Sequence, residues 1–138
     1  MKKFRTLKII AITFVIVILG VYLFNIYDNR HFLTHGVLRI KQNPPTLQIE
    51  KYETWGISDF RAEYYVLINK NDIPKLLQGR KYTLEPNPKD YFAAWATGLE
   101  NRLFKTERCY SSGSMSDGLI NIFLNKDSSQ AYIVYSIQ

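Results

Sequence analysis

A chain of 138 residues has room for one domain, or for one domain and an appendage. Its 46% hydrophobic and 14% aromatic content exclude a disordered chain, and its single cysteine excludes a disulfide-stapled miniprotein or a multi-cysteine metal site. Eighteen Lys and Arg against twelve Asp and Glu give a charge of +6, which would suit a polyanion if it were spread over the folded part.

It is not spread. Lys2, Lys3, Arg5 and Lys8 open the chain, and the first acid is Asp28. Without those four, 14 basic residues face 12 acidic ones, a balance of +2. The excess reads as a topology signal, and no nucleic-acid partner is expected.

From Ile9 to Tyr27 nineteen residues carry no charge. As a helix they span about 28 Å, close to the ~30 Å hydrocarbon core of a bilayer. Thr13 can return its hydroxyl to the preceding turn, and Tyr22 and Tyr27 lie toward the outer interface. The run is longer than the apolar region of a cleaved signal peptide and has no pair of small residues for cleavage. The organisation read from the chain is therefore a cytoplasmic basic flank (1–8), a transmembrane signal anchor (9–27), a juxtamembrane connector (28–36) closed near Gly36, and an extracytoplasmic domain (37–138). The bilayer is the partner of residues 9–27. The expected location is an inner or plasma membrane, crossed once, with the amino terminus cytoplasmic and the domain periplasmic or extracellular.

In the domain, Val37–Lys41 is expected to begin a strand that Pro44 and Pro45 interrupt. Thr46–Tyr52 resumes it, and Trp55-Gly56 with Ser58-Asp59 marks a turn. Phe60–Asn69 alternates cleanly, with Phe60, Ala62, Tyr64, Val66 and Ile68 on one face. Asn71 or Asp72 is expected to cap a short helix through Ile73, Leu76 and Leu77, and Tyr82–Leu84 a brief strand. Asn87-Pro88-Lys89-Asp90 predicts a second helix whose aromatic face holds Tyr91, Phe92 and Trp95, with Leu99 beyond. Leu103–Tyr110 is expected as strand. Gly118–Asn125 and Gln130–Ile137 form a hairpin of central strands, apolar on both faces. The fold class is α+β: an N-terminal transmembrane helix, then an antiparallel sheet of about five or six strands with two short helices.

Chemistry is sparse. Asp28, His31 and His35 have a metal-like spacing, but interfacial polar residues at a helix end explain them, so no metal and no cofactor is expected. Ser111, Ser112, Ser114, Ser116 and Cys109 lack a base beside them. Glu100 with Glu107, or Asp59 with Glu63, would be carboxylate pairs only if a cleft assembled them. Asn125, Asp127 and Ser129 resemble a calcium loop but read as a hairpin turn. No catalytic residue is assigned. The surplus is aromatic, and the candidates for a binding face are Trp55, Arg61, Tyr65, Arg80, Lys81 and Tyr82.

The first expectation is a non-enzymatic protein-interaction module outside the membrane, such as a toxin-neutralising immunity protein or an accessory subunit of an envelope assembly. Its partner is a protein outside the membrane; oligomeric state stays open. The runner-up is a membrane-tethered enzyme or ligand receptor acting on cell-envelope material. A third reading, recognition by the anchor helix itself, lacks a Gly-x-x-x-Gly pattern to support it.

Overall fold

Backbone amides in an apolar run can satisfy one another only within a helix. In the computed structural model, which describes residues 2–56, 59–93 and 103–138, helix α1 runs from Lys2 to His31. It is long and apolar enough to cross a membrane, and every residue from Lys8 to Asp28 is exposed. The Thr13 hydroxyl donates to the Ile9 carbonyl at 2.9 Å, as expected of an alcohol in such a run. Beyond His31 the backbone widens into a π-helical turn, Phe32–Val37, so helical structure occupies the stretch expected as connector. The chain divides into two compact units, Met1–Leu33 and Thr34–Gln138.

The second unit is built on strands β1 (Leu47–Trp55), β2 (Phe60–Ile68), β3 (Thr83–Leu84), β4 (Tyr91–Phe92), β5 (Leu103–Phe104), β6 (Arg108–Ser112), β7 (Leu119–Leu124) and β8 (Gln130–Ile137), with one short helix α2 (Ile73–Leu76). Among the described residues, six strands make one sheet in the order β1-β2-β8-β7-β6-β3, and β4 and β5 form a separate ribbon. All pairs are antiparallel. The α+β class and the central hairpin β7–β8 agree with the sequence.

Alternation along β2 sorts the sheet into two faces. Ala62, Tyr64, Val66 and Ile68 lie on the first, with Ile133 and Ala131 of β8 and Ile120, Ile122 and Leu124 of β7 in register, all buried. Also buried are Val37, Leu38, Ile40 and Leu76. The second face carries Arg61, Glu63 and Tyr65 of β2 with Val134 and Tyr132 of β8 and Phe123 of β7. The β4–β5 ribbon contributes Tyr91 and Phe104 to the cluster on this face.

Three expectations are corrected. Residues 37–41 are not a strand: Val37 and Leu38 are both fully buried, which a half-exposed strand does not allow, and Arg39 takes φ 55°. Arg80 instead clips this segment, donating Nε to the Val37 carbonyl at 2.8 Å. Gly79 makes room for it, since a Cβ there would sit 2.0 Å from the Leu38 carbonyl oxygen. The helix expected from Asn87 is a strand at Tyr91–Phe92, paired with Leu103–Phe104. Asp90, expected as the acid of its first turn, accepts from the Thr106 amide and Lys105 Nζ, both at 2.9 Å, and so holds the ribbon together. Trp95, Leu99 and Glu100 lie outside the described residues, as do 57 and 58 of the turn. The strand expected at Leu103–Tyr110 is two strands, β5 in the ribbon and β6 in the sheet. Among the described residues there is thus one short α-helix where two were expected; Asp72 stands at its N-cap as expected, though its side chain does not bond the helix amides, and Asn69 caps the 3-10 turn Lys70–Asp72 that leads into it. Asn69 accepts from the Asn71 amide at 2.9 Å, while the Asp72 carboxylate accepts from Thr46 N at 3.0 Å and Lys75 Nζ at 2.7 Å.

Candidate functional site

Strand β1 forms one margin of the six-stranded sheet, and no described strand pairs with its outer side. After Leu47 it is almost wholly exposed, with Tyr52 at 41% and Trp55 at 37%. A bulge between Ile49 and Lys51 leaves Glu50 as the extra residue. Past the bulge the register is regular, with Lys51 opposite Tyr65, Tyr52 opposite Tyr64, Glu53 opposite Glu63 and Trp55 opposite Arg61. The Tyr52 ring stacks on Tyr64 at 6.2 Å, and the Arg61 guanidinium lies 5.8 Å from the centre of the Trp55 ring.

Behind this margin sits a charged pair under cover. Glu63 is fully buried, and its Oε1 accepts from Arg61 Nη2 at 2.8 Å and Nε at 3.0 Å. Arg61 Nη2 also reaches the Tyr91 hydroxyl at 3.5 Å. Burial opposes the charge of Arg61, but its bonds to Tyr91 and Glu63 hold the guanidinium above its ordinary pKa. Burial, aided by the Glu63 carboxylate, pushes the Tyr91 phenol upward. Tyr65, expected on an exposed polar face, is half-buried, 5.1 Å from the Tyr132 ring. The ribbon covers what the sequence presents as the polar face of β2.

On the same face a cleft of about 640 Å³ runs between the ribbon and the β7–β8 turn. Tyr65, Phe104 and Tyr132 line it together with Lys51, Gln130 and Glu107. Burial, then the Glu50 charge, raise the Tyr65 phenol. Asn125 closes the turn by accepting from the amides of Ser129 at 3.0 Å and Gln130 at 3.1 Å, so the calcium-like triplet serves the hairpin.

The six candidates fall into two places. Trp55, Arg61 and Tyr65 share the β1–β2 margin. Arg80, Lys81 and Tyr82 precede β3, the strand at the other end of the order. Arg80 is structural, with Nε on Val37, Nη1 on the Gly118 carbonyl at 3.1 Å, and its guanidinium 5.9 Å from the Tyr135 ring. Burial, and then the nearby Arg39 charge, lower its pKa. Tyr82 is half-buried, and burial pushes its phenol up to about 12. Lys81 is exposed. Tyr52 and Glu53 are not among the six candidates; the sequence signal that marks them is a run without proline in which charged and aromatic residues follow one another from Glu50 to Trp55.

The remaining chemistry stays dispersed. Ser111 Oγ donates to Asn121 Oδ1 at 2.8 Å, and Ser114 bonds Ser116 and Asp117 within its own loop. Cys109 is 4% exposed, and burial pushes its thiol up, away from the reactive thiolate. Among the described residues no three His, Cys, Asp or Glu side chains gather to hold a metal.

No protein-family model matches the chain. No curated protein and no solved structure matches it either.

Proposed function

We propose that the chain is a membrane-anchored, extracytoplasmic protein-interaction module whose recognition strip is the outer edge of β1. The observation that carries this reading is a nine-residue strand at the sheet margin, with no described strand beyond it and with Tyr52 and Trp55 exposed along it. Open main-chain donors and acceptors supply affinity for an extended segment, and alternate side chains supply selectivity. The four basic residues ahead of the apolar helix, with no acid among them, support an orientation that puts the domain outside. Such a module suits a toxin-neutralising immunity protein or an accessory subunit of an envelope assembly, both of which need a small stable domain held near the bilayer. Photo-crosslinking residues placed at 52 and 55 of the full-length chain in intact cells should give a discrete adduct with a protein. Adducts at neither position would sink the reading.

The cleft favours a second reading, a membrane-tethered ligand receptor or enzyme acting on cell-envelope material, because it joins aromatic walls to lysine and amide groups. It requires saturable binding of soluble envelope fragments, lost when Gln130→Trp fills the cleft. No saturable binding would dismiss it.

A further inference from the structure

An open strand is a template for any chain that can lie beside it, so natural sheets blunt their margins with charge, proline or a bulge. From Leu47 to Trp55 there is no proline, but the strand carries the other two devices, the bulge at Glu50 and the charges of Glu50, Lys51 and Glu53, so its outer edge suits only a partner whose charges match them. Two carboxylates also meet across the ladder, since Glu53 is directly opposite the buried Glu63, whose Oε1 already holds Arg61. Like charges at such a position are unfavourable unless a cation stands nearby.

We propose that the occupant of the β1 edge is a second copy of this chain, paired antiparallel about a two-fold axis at Tyr52. The inference rests on the reading of β1 as a recognition strip and names its partner. An axis perpendicular to the sheet keeps each face on its own side, so only registers centred on a residue preserve the pleat. Centring on Lys51 sets lysine against lysine, and centring on Glu53 sets glutamate against glutamate. Centring on Thr54 makes no ion pair. Centring on Tyr52 places Lys51 of each copy opposite Glu53 of the other, twice by symmetry, and Tyr52 opposite Tyr52. With Glu50 set aside as the bulged residue, Ile49 then meets Thr54 and Gln48 meets Trp55. The second copy's Lys51 supplies the cation that Glu53 lacks from Glu63 across the ladder. Two anchors in one bilayer raise the effective concentration of each strand for the other.

The test uses the full-length chain in nanodiscs. Opposite residues in an antiparallel ladder have Cα atoms about 4.5–5.5 Å apart, within reach of a disulfide. Oxidation of Tyr52→Cys should therefore give a reducible dimer, whereas the wild type, with Cys109 buried, and Leu84→Cys on the opposite margin should not. Lys51→Glu and Glu53→Lys should each weaken association by about tenfold, since each turns two ion pairs into two repulsions. The double variant Lys51→Glu/Glu53→Lys should restore it. These exposed charge variants need no core rearrangement, so they report even if Tyr52→Cys folds poorly. A monomer in nanodiscs, or a dimer indifferent to the charge swaps, overturns the proposal. Photo-adducts at 52 and 55 with a different protein also overturn it, yet leave the recognition strip standing; adducts with nothing remove both.

Discussion

At the residue scale, the most consequential pair is Arg61 with Glu63. Burying a carboxylate is tolerable only while a cation compensates it, and removing the partner leaves the charge stranded. Arg61 is itself 41% exposed, so its loss should cost less than that of a wholly buried partner. Arg61→Ala is expected to destabilise the chain by about 2 kcal/mol in denaturant melts of the detergent-solubilised protein. Glu63→Gln keeps an acceptor for Arg61 without the charge and should cost less than half as much. Asp72 and Asp90 define the acid limit. Lys75, with the Thr46 amide, holds Asp72 below the usual carboxylate range, and Lys105, with the Thr106 amide, does so for Asp90. Depressed folded-state values add stability above the unfolded pKa of about 3.9, and that stability is lost as pH falls through the lower folded values. The Tm should therefore be level from about pH 7 to 5 and fall below about pH 4. Asp72→Asn and Asp90→Asn should each lower the plateau and flatten the fall; two unchanged curves would assign the acid transition to other carboxylates.

At the scale of elements, the segment after α1 shows how one glycine decides a path. Val37 and Leu38 are buried side by side because Arg80 clips the carbonyl of Val37 while the backbone passes hard against Gly79. Gly79→Ala would drive a methyl into the Leu38 carbonyl, so either the segment or the turn must move. A loss of about 2–3 kcal/mol is expected, read as a drop in Tm with earlier proteolysis near residues 37–42. If Gly79→Ala melts like the wild type, the segment is not held by that contact. The ribbon is the other such element. Asp90 joins its two arms through Lys105 and Thr106, and the rings of Tyr91 and Phe104 lie 5.1 Å from Tyr132. It thereby helps bury Glu63 and half-bury Arg61 and Tyr65 on the side of β2 that the alternation presents as polar.

At the scale of the molecule, the chain is an apolar helix followed by a sheet domain with one long margin that no described strand pairs. If the proposed topology holds, a cysteine placed at exposed Lys126 reacts with a membrane-impermeant reagent from outside intact cells, and one placed at Lys3 reacts only after lysis. The opposite pattern reverses the orientation. If α1 spans a bilayer as proposed, a strand too weak to pair in dilute solution gains from confinement to a layer beside the membrane. The self-pairing register proposed at Tyr52 would then give a measurable association with a charge-swap signature.

The amino-acid sequence by itself determined the apolar helix, the α+β class, strand β2 with its two faces, and the β7–β8 hairpin. Each follows from local periodicity: an uncharged run long enough for a bilayer, alternation of period two, and turn residues between apolar arms. Tertiary structure decided everything that depends on what covers a surface. Alternation along Arg61-Ala62-Glu63-Tyr64-Tyr65 identifies a polar face but not the ribbon that buries it. A capping pattern at Asn87-Pro88-Lys89-Asp90 is weak next to the apolar cluster that Tyr91 joins as a strand. The Arg80-Lys81-Tyr82 cluster looks like an exposed binding patch until Arg80 is seen holding two carbonyls. The margin position of β1 follows from strand order, which is non-local and leaves no periodic trace in the chain. Only with that order known does the self-complementary spacing of Lys51, Tyr52 and Glu53 acquire a physical meaning.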